Sequence, residues 1–294
     1  MNGIFLLDKP LNISSNAALQ KVKRLFRAKK AGHTGSLDPL ATGMLPICFG
    51  DATKFCQYLL DSDKTYSVTM KLGVRTTTSD AEGEIISTRP VPNFTVETIN
   101  TAFNFFRGET QQIPSMFSAL KHNGVPLYEY ARKGITIERP SRTIKIYELI
   151  LLSVENDYVS FTVKCSKGTY VRTIVDDFGE QLGCGAHVTK LRRLSVGPYP
   201  ESGMMTIEKL ESLIQADNFS ANNILLSMDS AVTHWPAVLF SSAHTTALKQ
   251  GQSVISPDAP HSHWIRLIDH HGEFFGIGEV LSDGKIVSRR LISL

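Results

Sequence analysis

Cysteine is scarce in this chain: four residues among 294, Cys48, Cys56, Cys165 and Cys184, widely spaced and never in a C-x-x-C pair. That spacing argues against a zinc knuckle or a dithiol redox motif, and the four read as small buried hydrophobes in a reducing compartment. Long apolar runs are also missing. No stretch approaches the length that crosses a bilayer, and the apolar run in MNGIFLLDKP is too short for a signal peptide, so a cytoplasmic protein with no membrane partner is expected. Charge of one sign is lacking too: 31 Lys and Arg against 28 Asp and Glu leave a net +3, a total that does not by itself argue for nucleic acid. With 42% hydrophobic and 20% charged residues, the composition is that of a globular protein with chain enough for one large domain or two unequal ones.

The distribution of charge says more than the total. Residues 20–30, QKVKRLFRAKK, carry six basic residues and no acid, a patch that fits a solvated helix face or an RNA contact equally well. Directly after it comes AGHTGSLDPLATGMLP, residues 31–46. Gly32, Gly35 and Gly43 admit backbone conformations closed to other residues and Pro39 fixes the chain after Asp38, so the stretch reads as a rigid loop rather than a helix or a central strand. Asp38 is the one acid between Asp8 and Asp51, and its basic surroundings are expected to favour the ionised form and draw in a polyanion. A tight turn with Asp as a backbone acceptor is the plainer reading of these residues alone.

The remaining chain mixes periods. Residues 4–7 suggest a buried strand stopped by Asp8-Lys9-Pro10. Ser14 or Ser15 caps a helix with Ala18, Val22, Leu25 and Phe26 on one face, which Gly32 is expected to close. Residues 52–60 read as helical. KTYSVTMKL alternates cleanly as a half-buried strand, and VRTTTSDAEGEIIS is polar and turn-rich. TVETINTAFNFFRG reads as a capped helix with Ile99, Phe103 and Phe106 on one side. Between about 112 and 145, prolines and glycines punctuate a run in which Lys121, Arg132, Lys133, Arg139, Arg142 and Lys145 face only Glu129 and Glu138, with Phe117, Tyr128 and Tyr130 interleaved. This is either an RNA grip or an ordinary surface excursion. Strands over 145–152, 158–165 and 187–196 flank a helix over 170–182, and the scarcity of β-α-β repeats predicts an α+β fold. From about residue 233, short apolar runs between Gly, Asp, Ser and Pro clusters predict a small all-β unit. His261, His263, His270 and His271 lack an accompanying Cys or acidic pattern and read as solvated, with no metal expected.

The run GHTGSLDPLATGMLPICFGDATK resembles the catalytic motif of the TruB family of tRNA pseudouridine synthases. Stretches at the N-terminal Lys-Pro, around Tyr66 and in CSKGTYVRTIVDDFGEQLGCGAHVTKLRRL are similar to others in that family, so the likeness covers most of the chain. It implies a mixed-sheet catalytic domain over about residues 1–230, with a mobile thumb inserted at about 112–145 that folds over RNA. A PUA-like RNA-binding domain over 231–294 is implied more weakly. It implies Asp38 as nucleophile, Arg172 as its arginine partner, and Tyr66 packed on the target base and helping to move the C5 proton. Tyr170 and Leu191 line the uridine pocket by the same likeness, His33 contacts substrate near the flipped nucleotide, and Lys9 stands behind them. The implied reaction converts uridine 55 in the T loop of tRNA to pseudouridine, with the T-arm stem-loop as partner and the protein a monomer.

Chemistry bears on this independently. Breaking the N-glycosidic bond, turning the uracil and joining C5 to C1′ oxidises and hydrolyses nothing, so no cofactor is expected; a held carboxylate and a dry pocket are. A guanidinium beside Asp38 would depress its pKa and orient it through a bidentate contact that lysine reproduces poorly. The rival reading is an RNA-binding or RNA-chaperone protein acting on tRNA without essential catalysis. A glycosidase is poorer, since no second acidic partner stands out.

Overall fold

The computed structural model describes residues 1–216, 220–256, 260 and 262–293. In chain order, β1 (Gly3–Lys9), α1 (Ser15–Leu25), β2 (Ala31–His33), β3 (Ala41–Phe49), α2 (Cys56–Leu60) and β4 (Lys64–Leu72) lead to a hairpin of β5 (Val74–Thr76) and β6 (Ile85–Thr88), then α3 (Val96–Asn104) and β7 (Gly108–Gln112). An excursion follows, with β8 (Lys121–His122), β9 (Val125–Pro126) and α4 (Leu127–Arg132). The chain returns through β10 (Arg142–Glu155), β11 (Tyr158–Cys165), α5 (Val171–Gln181), β12 (Ala186–Val196) and α6 (Ile207–Gln215). The C-terminal unit holds β13 (Ala237–Leu239), α7 (Ser242–Lys249), β14 (Val254–Ile255), β15 (Trp264–Ile268), β16 (Phe274–Val280) and β17 (Lys285–Leu291).

Eight strands form one mixed sheet in the order β1-β3-β12-β4-β11-β10-β7, with β2 added beside β3. Its parallel pairing is short, Ala41, Thr42 and Gly43 of β3 against Leu191, Arg192 and Arg193 of β12. The alternation in KTYSVTMKL appears as drawn: Val68, Met70 and Leu72 are buried, and α3 and α5 cover them with Ile99, Phe103, Ile174 and Phe178. Near the other edge, α1 and α6 cover Phe5, Leu7, Leu45, Ile47 and Phe49. The architecture is α+β.

Three local expectations are corrected. Helix α1 is capped by Ser14, whose side chain accepts from Ala17 N–H, but it ends at Phe26, where Arg27 turns left-handed at φ 50°. Gly32 lies in β2 instead of closing the helix. Residues 41–49 are a buried strand and not loop. Gly43 makes this possible: at φ 96°, a Cβ there would lie 2.3 Å from the Arg193 carbonyl of the adjacent parallel strand. The C-terminal unit is not all-β, because α7 packs on its five-stranded sheet, capped by Ser241 and buried at Thr245 and Leu248. SSAHTTALK carries the serine cap and the i, i+3 spacing that mark a short helix.

The C-terminal unit is docked against the unit of the eight-stranded sheet through a shared apolar cluster. Phe55 meets Phe274 at 5.5 Å, Tyr58 meets Trp235 at 4.8 Å, and Trp235 stacks on Trp264. Lys54 Nζ donates to Leu291 O at 2.9 Å across the same junction. His261 lies outside the described residues, and among those described no three His, Cys, Asp or Glu side chains gather as a metal site. No helix among them is long and apolar enough to cross a membrane.

Gly43→Ala forces a Cβ into the β3–β12 contact at an unfavourable φ, so it should lower unfolding free energy by about 3–5 kcal/mol, as read by denaturant titration. A cost under about 1 kcal/mol would show that the two strands separate freely.

Candidate active site

Asp38 is held by its neighbours' backbones before any side chain reaches it. Ser15, buried in the first turn of α1, accepts Leu37 N–H at 2.7 Å and donates to Leu37 O at 3.0 Å. Asn12 N–H binds Pro39 O at 2.9 Å, and Ala41 N–H closes the turn on Asp38 O at 3.0 Å. Lys9, with no exposed surface, donates to Pro10 O at 2.9 Å, Ile13 O at 2.8 Å and Pro39 O at 3.5 Å. Burial brings the Lys9 ammonium down to about 8, even with Asp38 pulling the other way. Lys9 is therefore a strut under the loop, tied to the backbone on either side of α1.

Arg172 stands in the first turn of α5 with 4% of its surface exposed. Its Nε lies 2.9 Å from Asp38 Oδ2. The contact is not the bidentate one expected, because the other donors are spent elsewhere. Nη1 donates to Thr78 O at 2.9 Å and lies 3.4 Å from Asp80 Oδ2, while Nη2 donates to Phe117 O at 2.8 Å. A guanidinium removed from water needs partners for its five N–H donors, and four acceptors from three distant segments take up most of them.

The pKa of Asp38 also departs from expectation. Burial pushes it up and outweighs the downward pull of Arg172, and the charge of Asp80 adds to the rise. The carboxylate still keeps 39% of its side-chain surface accessible, so a ligand can reach it from solvent. Asp80 is the acid that sequence reasoning missed. It is 2% exposed, accepts from Thr78 Oγ1 at 2.5 Å and Glu82 N–H at 3.0 Å, and lies in a polar segment that looks like any turn until the β5–β6 connection folds over α5.

Tyr66 and His33 gather around a second missed residue. Arg193 is 1% exposed, sits opposite Tyr66 in the β4–β12 ladder, and donates to Met44 O at 2.6 Å and Gly35 O at 3.0 Å. Burial raises the Tyr66 phenol, against a downward pull from the Arg193 guanidinium. Burial and the same guanidinium lower His33, whose Nδ1 is buried with no hydrogen-bond partner. Leu191 is buried between Ala41 and Val68 and packs in the cluster that includes Leu37. Tyr170 precedes α5; its backbone N–H and C=O are both bound by Gln112, and its ring lies 4.8 Å from the Arg142 guanidinium. Asp38 and Arg172 are thus in direct contact. Tyr66 and His33 share Arg193, and Tyr170 adjoins Arg172 in the chain.

Known proteins show the same pattern. Residues 23–171 match the family described as TruB family pseudouridylate synthase (N terminal domain). Residues 172–233 match the tRNA pseudouridylate synthase B C-terminal domain, and 236–292 match Pseudouridine synthase II TruB, C-terminal. A tRNA pseudouridine synthase B of Yersinia pestis (strain Pestoides F) is 54% identical over 300 residues, spanning 99% of this chain and 92% of its own length. One from Coxiella burnetii (strain RSA 493 / Nine Mile phase I) is 53% identical over 293 residues, spanning 99% and 95%. A crystal structure of a Cbf5-Nop10-Gar1 complex matches in fold, with a TM-score of 0.76 at 24% identity over 99% of this chain and 85% of that one. Matches across the whole chain define an isomerase of the pseudouridylate synthase class with a PUA-like C-terminal unit. The chain belongs to the TruB family.

Asp80→Asn removes a charge that raises Asp38 and loosens Arg172. The acid limb of pseudouridine formation should therefore move to lower pH, while the plateau rate falls about tenfold or more; an unmoved limb would detach Asp80 from Asp38. Lys9→Met takes the side-chain donor from Pro10 O and Ile13 O, while Pro39 O keeps Asn12 N–H; it should cost about 2–4 kcal/mol in thermal or denaturant unfolding, and an unchanged unfolding curve would contradict its role as a strut.

Proposed function

We propose that the protein isomerises uridine 55 in the T loop of tRNA to pseudouridine, with Asp38 as nucleophile on a uridine flipped out of the loop. The observation that carries this reading is the 2.9 Å pair between Asp38 and a buried Arg172, with the carboxylate still reachable from solvent. Relatives of 53 and 54% identity named tRNA pseudouridine synthase B support tRNA as the substrate.

In the reaction, the N1–C1′ bond breaks, the uracil turns, C5 bonds to C1′, C5 loses its proton and N1 gains one. Addition of Asp38 at C1′, addition at C6, and assistance to uracil departure through a glycal all ask the same of the protein: an ionised carboxylate held against the nucleoside. Arg172 serves that need by opposing the desolvation of Asp38. Tyr66 supplies an aromatic plane for the base, and stands opposite Arg193 in the β4–β12 ladder. Tyr170, Leu191 and His33 line the pocket, and Lys9 fixes the loop. A hairpin loop suits this design, because unpaired bases can be splayed out at a cost of roughly a few kcal/mol. The thumb over about 112–145 and the PUA-like unit over 231–294 grip the T arm as parts of a single cytoplasmic monomer, and none of these steps calls on a cofactor.

Asp38→Asn should slow pseudouridine formation in a T-arm hairpin by about a thousandfold or more while the Kd for RNA stays within about threefold. Tritium release from 5-tritiated uridine measures the first and fluorescence titration the second. Wild-type turnover by the variant would remove Asp38 from the mechanism and favour RNA binding without this chemistry. Binding should also weaken as salt rises, with log K falling by about 0.7–0.9 per phosphate engaged for each decade of salt; a flat salt profile would remove the basic surfaces from the grip.

A further inference from the structure

The chain leaves the catalytic sheet after Gln112, the last residue of β7, and returns at Arg142, the first of β10, and these two residues are partners in the ladder. The excursion of residues 113–141 therefore stands on two adjacent feet, with β7 at the edge of the sheet. It buries little of its own, and Ile113, Leu120 and Ile135 are exposed.

Both feet grasp the same residue. Gln112, 3% exposed, accepts Tyr170 N–H on Oε1 at 2.8 Å and donates from Nε2 to Tyr170 O at 3.0 Å. Arg142 lays its guanidinium over the Tyr170 ring and donates from Nη2 to Gly168 O. A third tie runs from inside the excursion, where Phe117 O accepts from Arg172 Nη2 at 2.8 Å. Tyr170 is the residue before α5 and no side chain caps the helix there, so the start of the helix that carries Arg172 is set by what Gln112 and Arg142 do.

We propose that Gln112 and Arg142 are positioning residues for the isomerisation: they couple the placement of the 113–141 excursion to Tyr170 and, two residues on, to the Arg172–Asp38 pair. RNA gripped by the basic excursion then acts on the catalytic pair through these feet. This rests on the reading of Asp38 above. An anchor that merely tethered the excursion would act on RNA affinity; a positioning pair acts on the rate once RNA is bound. Misplacement of a reacting group by about 1 Å is enough to slow chemistry by up to about a hundredfold.

The test uses the full chain with a T-arm hairpin at saturating enzyme. Gln112→Met keeps the volume and removes both hydrogen bonds, while Arg142→Lys keeps the charge but loses the planar stack and the fork. Each should slow single turnover about tenfold or more with Kd changed less than about threefold. The double variant should be little slower than the slower single one, since both act on Tyr170. Single-turnover rates equal to wild type, or losses confined to Kd, overturn the inference. If Gln112→Met does not fold, Arg142→Lys decides by the same criteria. Asp38→Asn run alongside separates the two claims: an active Asp38→Asn sinks the site reading, whereas an inactive one beside fast Gln112 and Arg142 variants sinks only the coupling.

Discussion

A carboxylate that solvent can still reach, and a guanidinium withdrawn from water beside it, make the contact on which the rest of the molecule depends. Arg172 could not be buried alone, since an unpaired buried cation is among the costliest things a fold can hold. It is met by Asp38, Asp80, Thr78 O and Phe117 O, so the loop after β2, the β5–β6 connection and the start of the excursion are brought together around one side chain. Satisfying the arginine and assembling the site are the same act.

Behind that pair lies a second layer of buried cations. Arg193, Lys9 and Lys64 are held in cages of backbone carbonyls, and burial brings both lysines to about 8. Each fixes a turn that no apolar contact could fix: Lys9 the chain on either side of α1, Arg193 the Gly35 and Met44 carbonyls beneath the Asp38 loop, Lys64 the end of α2. A cluster of fixed positive charge near the pocket also favours an anionic substrate. The C-terminal unit is joined to this base through Phe55, Tyr58, Trp235 and Phe274, so the catalytic sheet carries its neighbour on packed aromatic surface.

Much of this was legible in the residue order. The alternation in β4 and the serine cap of α1 are local signals, and local physics suffices to read them. The motif around Asp38 and the GTYVRT segment paired these two residues through likeness alone, because nothing in spacing tells residue 38 that residue 172 is beside it. Where reading failed, tertiary structure had overruled local preference. Gly43 looked like loop chemistry and is in fact the gap that lets β12 approach β3. Arg27 ended a helix that Gly32 was expected to close. Asp80 and Arg193 could not be told from an ordinary turn acid and an ordinary basic residue, since their roles exist only once distant segments meet. The pKa of Asp38 was misjudged for a related reason: charge is visible in a sequence, and desolvation is not.

The central claim is that a planar guanidinium at residue 172, shared among four acceptors, enables Asp38 to act. Single-turnover pseudouridine formation by Arg172→Lys, at saturating T-arm hairpin and with Kd measured in parallel, tests it most directly. The account predicts a loss of about a hundredfold or more with affinity nearly unchanged, because an ammonium keeps the charge but cannot span four acceptors. A lysine variant that turns over at close to the wild-type rate would contradict it.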